Sequence, residues 1–345
     1  MLPLGARVAL QSGILRVYFR HAVTRRRSGC VVSIAELEMH EGEPILVLGG
    51  TGHYGQQIVR GLLDRGEPVR VMTRNVPNAR KILGERPELL KGDITAQESV
   101  ASALEGTRAI VIAVAAHTAK SIRNRVLIER DSVLRVICEA ERLSVLRVVY
   151  LSGYDVRKEF VEKLGLPSAF AKPMLDVQNA LAASPLNWTV LGCPPSMEIF
   201  FAMIRGDRMN VPGGGPPALP TISPLDVGTI AAQAAVRDDL SGRHIRLPGP
   251  EALSFADAAH RISVVWGRPI RFRQIPLAPI KIASVIARPF FPFLGFLVAS
   301  LKLLNGFPQE IASQVPEDHR KLLEIFNLTP TTLEMETRRR LLGGS

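Results

Sequence analysis

Residues 45–59 read ILVLGGTGHYGQQIV. An apolar run, Ile45 to Leu48, leads into glycines at 49, 52 and 55, and Ile58 and Val59 resume the apolar pattern beyond them. That order predicts a strand, a tight loop and a helix. The first turn of a helix carries unpaired N–H groups and the positive end of the peptide dipole, and glycine lets an anion approach the backbone. The loop therefore predicts a pyrophosphate site built from Gly49, Thr51, Gly52, His53, Tyr54 and Gly55. A glycine triplet alone is also compatible with an empty turn.

The following segment separates the two readings. PVRVMTR (68–74) is a second apolar strand, reached through an expected helix at 56–64 and a turn at Arg65–Gly66. Strand, helix and strand together make one βαβ unit of about thirty residues, the frame a dinucleotide loop requires. An acidic side chain after the second strand would bind a ribose 2′-hydroxyl and repel a 2′-phosphate. This strand ends instead in Thr73–Arg74–Asn75. The guanidinium of Arg74 offers a planar fork of donors to a phosphate, which favours NADP(H) over NAD(H).

The alternation continues along the chain. A helix is expected at 78–83 and a short strand before Gly92, with Asp93 and Ile94 at its tip placed to hold adenine or to cap a helix. A helix at 97–104 precedes the apolar strand TRAIVIAVA (107–115), a helix at 124–143 and the strand VLRVVYLS (145–152). Near-continuous apolar strands separated by amphipathic helices predict a doubly wound parallel sheet. Ligands of such sheets gather at the carboxyl ends of the strands, where Ser152 and Tyr154 lie. A helix at 167–183, a strand at 188–191, a capped helix at 222–236, a strand at 243–247 and a serine-capped helix at 254–265 complete the reading. GGGPP (213–217) reads as a turn without the strand–helix frame of a phosphate loop.

The 345 residues suffice for one large α/β domain and an added lobe. Cys30, Cys138 and Cys193 show neither metal-ligand spacing nor an even framework, so no metal is expected and a reducing compartment, the cytoplasm, is favoured. Residues 1–35 carry Arg7, Arg16, Arg20, Arg25, Arg26 and Arg27 with no acidic residue, and so hold six of the net charge of +11. This basic leader reads as an organelle transit peptide, a basic tail, or an over-extended start ahead of Met39. The remainder is mildly basic and lacks an arginine–aromatic module, so nucleic acid is not an expected partner.

Residues 280–304 are strongly apolar and include PFFPFLGFLVASLKLL (289–304). Arg288, Pro289, Pro292 and Lys302 leave too short a core for a membrane span. The segment is expected to be a helical lid over a substrate cleft or, alternatively, an interfacial helix for a membrane surface or protein partner.

Taken in order, GGTGHYGQQIV, VRVMTR, GDI, VVYLSG, WTVLGCPPSMEIF, ISPLDVG and LPGPEALSFADAA resemble the NmrA-like branch of the atypical short-chain dehydrogenase/reductase superfamily. The resemblance covers roughly 44–275, and DHRKLLEIFNLTPTTLE (318–334) is similar to the tail of that branch. It implies a Rossmann domain over 44–192 behind the 1–43 extension. It also implies a smaller lobe over 193–345, with residues near 222–247 returning to the core. NAD(P) binding is implied, with activity that varies: some members reduce quinones, aromatic or double-bond substrates, and others act without catalysis as redox sensors or assembly factors. Short-chain reductases pair a tyrosine with a lysine four residues on. If Lys172 is that lysine, the tyrosine position holds Ser168, while Tyr154-x-x-x-Lys158 matches only by spelling. The expected catalytic set is therefore Lys172, Tyr154 and Ser152, with Lys172 also on the nicotinamide ribose. The expected reaction is hydride transfer from NADPH to a hydrophobic quinone or enone.

Overall fold

The computed structural model describes residues 42–116, 118, 120–156, 162, 168–279 and 292–343. The basic leader through Glu41, Lys158 and residues 280–291 lie outside the described residues.

The first half alternates strand and helix: β1 (Ile45–Leu48), α1 (His53–Asp64), β2 (Val69–Thr73), α2 (Val76–Leu83), β3 (Glu88–Lys91), α3 (Gln97–Leu104), β4 (Ala109–Ile112), α4 (Ser132–Arg142) and β5 (Arg147–Gly153). It continues through α5 (Ser168–Ala183), β6 (Asn187–Cys193), α6 (Glu198–Ala202), β7 (Ile204–Arg205), β8 (Arg208–Pro212), β9 (Leu219–Pro220), α7 (Pro224–Ala235), β10 (Arg243–Arg246) and β11 (Ala252–Leu253). The last elements are α8 (Phe255–Trp266), β12 (Arg271–Ile275), α9 (Pro292–Asn305), α10 (Gln309–Ala312), α11 (Val315–Ile325) and α12 (Leu333–Leu341).

The main sheet has seven parallel strands in the order β10-β6-β5-β4-β1-β2-β3. Strand order reverses between β1 and β4, so the loops after them diverge and leave a crevice at the carboxyl edge. The doubly wound sheet expected from the sequence is thus present. β1 and β4 are buried along their whole length, as strands covered on both faces must be. One face packs Ile58, Val59 and Leu62 of α1 against Val227, Ile230 and Ala231 of α7. The other packs Val100 of α3, Val133 and Ile137 of α4 and Val177 of α5.

Glycine sets the contact between α1 and α7. A Cβ on Gly228 would sit 2.4 Å from the Gln57 carbonyl oxygen, and one on Gly61 would sit 2.9 Å from that of Gly228. The two backbones touch, which locks α7 onto the helix that begins at the glycine loop. α7 itself starts cleanly: Ser223 accepts a hydrogen bond from the Leu225 N–H at 3.3 Å, and Pro224 opens the first turn.

A smaller core lies to one side, where β7, β8 and β12 form a three-stranded sheet and β9 pairs with β11. Phe200, Met209, Val211, Phe255, Ile262, Leu301, Leu304 and Phe307 fill it. Gly213, Gly214 and Gly215 take φ values of +82°, +89° and +78°, which only glycine adopts freely. The turn they make has a receptor role. The Asn305 amide at the end of α9 accepts from the Gly215 N–H at 3.0 Å and donates to the Pro212 carbonyl at 3.1 Å.

One helix differs from expectation. The segment read as a helix over 124–143 is helical from Ile122 to Arg142, with a 3₁₀ turn (Ile122–Asn124) and a π-helical turn (Leu127–Asp131) ahead of α4. Glu129 lies in the π-helical turn. Its carboxylate turns inward, accepts the Ala116 N–H at 2.8 Å and pairs with Arg125 at 2.7 Å. Widened turns of this kind recur beside functional sites. No helix among the described residues is long and apolar enough to cross a membrane.

Candidate functional site

A cavity of ≈ 1320 Å³ runs along the carboxyl edge of the sheet. That exceeds the ~300–1,000 Å³ of an ordinary small-ligand pocket, so it has room for two molecules side by side. Its floor is the glycine loop and the start of α1. Gly52 is the N-cap and no side chain caps the helix, so the first N–H groups of α1 are left for a ligand. A Cβ on Gly49 would lie 2.4 Å from the Ala113 carbonyl oxygen, and one on Gly55 only 2.0 Å from that of Gly49. Both glycines are needed for the loop to close against β4 and onto its own helix. α1 begins at His53 rather than at the expected 56, because Gly52 already supplies the extended cap conformation.

Gly49, Thr51, Gly52, His53, Tyr54, Arg74, Asp93, Ile94, Ser152 and Tyr154 all line this cavity. Gly55 lies just beneath, in the contact with Gly49. At one end Arg74 is exposed and forms no ion pair among the described residues. Nearby, Asn75 accepts the Asn78 N–H at 3.0 Å and so starts α2. Asp93 accepts from both the N–H and the hydroxyl of Thr95 at 2.9 and 2.8 Å. Partial burial raises the Asp93 pKa, but the Thr95 bonds and the Arg74 charge outweigh it and hold the carboxyl below its usual range. Asp93 is thus an ionised group fixed beside a free cation.

The structure does not bring Lys172 to the cavity. Its ammonium is 58 % exposed and pairs with both oxygens of Asp176, at 2.8 and 2.9 Å. Ala171 and Met174 of the same helix line the cavity instead. The i,i+4 spacing to Asp176 explains the pairing, since both side chains rise from one face of α5. Ser152 is buried and accepts from the Gln178 amide at 2.7 Å. Tyr154 is buried as well, with its ring 6.4 Å from Phe307 and its hydroxyl lacking a hydrogen-bond partner among the described residues. Burial and the nearby Asp318 carboxylate push its phenol well above the ordinary value, against the partial relief of Arg246.

Several lining residues escaped the sequence reading. Tyr150 sits inside β5, where its neighbours read only as an apolar strand, and burial with the Glu129 charge raises its phenol too. The Arg125–Glu129 pair stands in the wall, each side chain about nine-tenths covered (11 % and 8 % exposed). Phe296, Leu297, Leu301, Leu304 and Phe307, from α9 and the turn after it, make the apolar wall opposite the glycine loop. Cys193 is half-buried in the cavity wall, and burial pushes its thiol up to about 12, which lowers its reactivity as a nucleophile. No cluster of three metal-ligating side chains occurs among the described residues.

The glycine cradle, the uncapped helix end and the free Arg74 suit a phosphorylated dinucleotide. The NAD(P)H-binding family is matched over residues 49–234, more than half of the chain. The chain belongs to that family. Among curated relatives, the photosystem II assembly factor Ycf39 of Synechocystis is 25 % identical over 84 % of this chain and 88 % of its own. The (4-alkanoyl-5-oxo-2,5-dihydrofuran-3-yl)methyl phosphate reductase of Streptomyces griseus is 25 % identical over 79 % of this chain and 92 % of its own. Among solved structures, the triphenylmethane reductase of Citrobacter sp. in complex with NADP(H) superimposes with a TM-score of 0.67. It is 17 % identical, over 86 % of this chain and 99 % of that one.

Proposed function

We propose that this chain is an NADPH-dependent oxidoreductase that reduces a hydrophobic small molecule such as a quinone or enone. The observation that carries the reading is the single cavity joining three chemically distinct parts: Arg74 and Asp93, the open N-terminus of α1, and the apolar wall of α9. Arg74 would hold a 2′-phosphate, the N–H groups of α1 the pyrophosphate, and Asp93–Ile94 the adenine. The nicotinamide, when bound, supplies the hydride. The chain itself orients and encloses: Phe296, Leu301 and Phe307 keep an apolar acceptor against the cofactor, and Ser152, fixed by Gln178, offers it a hydroxyl. Similarity to the Streptomyces griseus phosphate reductase and the Citrobacter triphenylmethane reductase agrees with this reading.

A second reading is a non-catalytic NADP(H) sensor or assembly factor. It is favoured by the commitment of Lys172 to Asp176 and by the similarity to an assembly factor. The two separate in one experiment. The protein is titrated with NADPH and NADH, and NADPH oxidation is followed against a panel of quinones, enones and azo compounds. Binding with turnover supports the reductase, binding without turnover the sensor, and no binding of either cofactor refutes both.

A further inference from the structure

Residues from two distant parts of the chain form a hydrogen-bonded row at the cavity. His53 opens α1, and Ser196 lies in the loop after β6. His53 Nε2 and Ser196 Oγ are 2.9 Å apart, and His53 Nδ1 is 3.1 Å from Glu198 Oε2. His53 and Ser196 both line the cavity. Glu198 is itself fixed, since its other oxygen accepts from Arg340 Nη2 at 2.7 Å. Arg340 lies 4.3 Å over the Phe201 ring and bonds Glu336, which is fully buried. The C-terminal helix α12 thus reaches back across the smaller lobe to set one carboxylate behind one imidazole.

A carboxylate on Nδ1 selects the tautomer protonated there, which leaves Nε2 as the atom that gains and loses a proton. The hydride-accepting molecule of a reductase must also take up one proton. The other candidates for its source are poorly matched. Tyr154 and Tyr150 have phenols pushed up by burial, and Lys172 points at Asp176. We propose that Ser196, His53 and Glu198 form the proton relay of this site, an inference that rests on the reductase reading above. The Ser196 hydroxyl gives its hydrogen to the acceptor oxygen as the O–H bond there forms. His53 Nε2–H replaces it on Ser196, and the imidazole, 44 % exposed, is reprotonated from solvent. Glu198 acts as a positioning residue. The charged and titratable groups around His53 are Glu198, Arg340 and Arg339 beyond it, Tyr54 with its ring 5.2 Å away, and Cys193 behind Tyr54.

The first test needs no cofactor. In ¹⁵N-histidine-labelled protein, His53 is assigned by its loss in His53→Gln. It should show a protonated, downfield Nδ1 and an exchanging Nε2, and Glu198→Gln should abolish the Nδ1 signal. A His53 protonated on Nε2 alone overturns the relay. The second test is kinetic, with NADPH affinity read separately by fluorescence. His53→Gln and Ser196→Ala should each lower kcat by about 10²-fold. The wild-type pH limb should vanish in His53→Gln, and NADPH affinity in Ser196→Ala should stay within about threefold, a small change in free energy. Wild-type turnover with unchanged kcat and pH profile in His53→Gln sinks the relay and leaves the reductase standing. A loss of NADPH affinity with kcat preserved at saturation also sinks it, since His53 would then only hold cofactor. A wild type that binds NADPH but turns over no acceptor removes the reductase reading and the relay together.

Discussion

The guanidinium of Arg125 lies 5.4 Å over the ring of Phe296, joining the irregular segment after β4 to the apolar helix α9 across the mouth of the cavity. Arg125 is at the same time paired with Glu129, which ties down the Ala116 N–H. A nearly buried ion pair therefore positions the cation that meets α9. Phe296→Ala removes both the cation–π contact and an apolar face of the wall, together worth about 1–2 kcal/mol. The KM for a quinone or enone should rise about tenfold, in line with ~1.4 kcal/mol. The Kd for NADPH should hold, because the phosphate end of the cavity is untouched. Equal loss of both affinities would show that α9 supports the cofactor as well.

Arg74 sets cofactor choice through charge. Arg74→Glu should lower NADPH affinity by roughly ten- to a hundredfold, the worth of charge-assisted bonds to a phosphate, and should leave NADH equal or tighter. Isothermal titration with the two cofactors measures the ratio directly, and an unchanged ratio would refute the assignment.

Gly55→Ala places a Cβ 2.0 Å from the Gly49 carbonyl oxygen, a backbone atom that cannot turn aside. The loop or the first turn of α1 must shift. NADPH binding should fall below detection, and the melting temperature should drop by several degrees, as a loss of about 1–3 kcal/mol implies. A variant that binds NADPH normally would show that the loop has slack.

The two described cysteines should react very differently. Cys138 is exposed on α4, and Cys193 is half-buried with a thiol pushed up to about 12. Raising the pKa favours the thiol, so near pH 8 Cys193 is held as the unreactive thiol, and reactivity grows as pH rises. Iodoacetamide labelling followed by peptide mass mapping should modify Cys138 and spare Cys193. Fast labelling of Cys193 would show that its cavity-wall setting does not suppress the thiolate.

Asp226 anchors the tail. Only 5 % exposed, it accepts from both the N–H and the hydroxyl of Thr331, at 2.9 and 2.7 Å. Asp226→Ala strands two buried donors and should cost about 2–3 kcal/mol in chemical denaturation. Burial raises the native pKa of Asp226 above 3.8, despite the Thr331 bonds. The native state therefore binds that proton more tightly than the unfolded chain. Its contribution to stability is full below the unfolded pKa and is lost as pH rises through the native one. The stability of wild type minus that of Asp226→Asn should accordingly move in favour of wild type as pH falls from neutrality, and a flat difference would contradict the shift.

Much of the main sheet was legible because its signals are local. Ile45 to Leu48, the glycines after them and the strand ending at Thr73 each bury or bend according to their own side chains. Where the reading slipped, a distant group intervened. The helix expected at 124–143 is present but contains a π-helical turn, within which Glu129 bonds the Ala116 N–H of another loop. The turn at 213–215 read only as a turn without the frame of a phosphate loop, and nothing local announced that it receives the side chain of Asn305, ninety residues on. Lys172 kept its place on a helix, as the pattern predicted, but the pattern could not say which way the ammonium would turn.

The sequence by itself determined the alternation of strand and helix, the uncapped helix end behind three glycines, and an arginine where a carboxylate would exclude a 2′-phosphate. These follow from the properties of neighbouring residues and from periods of two and three to four. Only the tertiary structure decided that α9 walls the cavity, that Tyr150 faces it, and that Ser196 and Glu198 meet His53 across more than one hundred and forty positions. Those contacts arise when α7 locks onto α1 and the tail helix α12 carries Arg340 back to Glu198. Such contacts depend on the path of the whole chain, and no local periodicity encodes them.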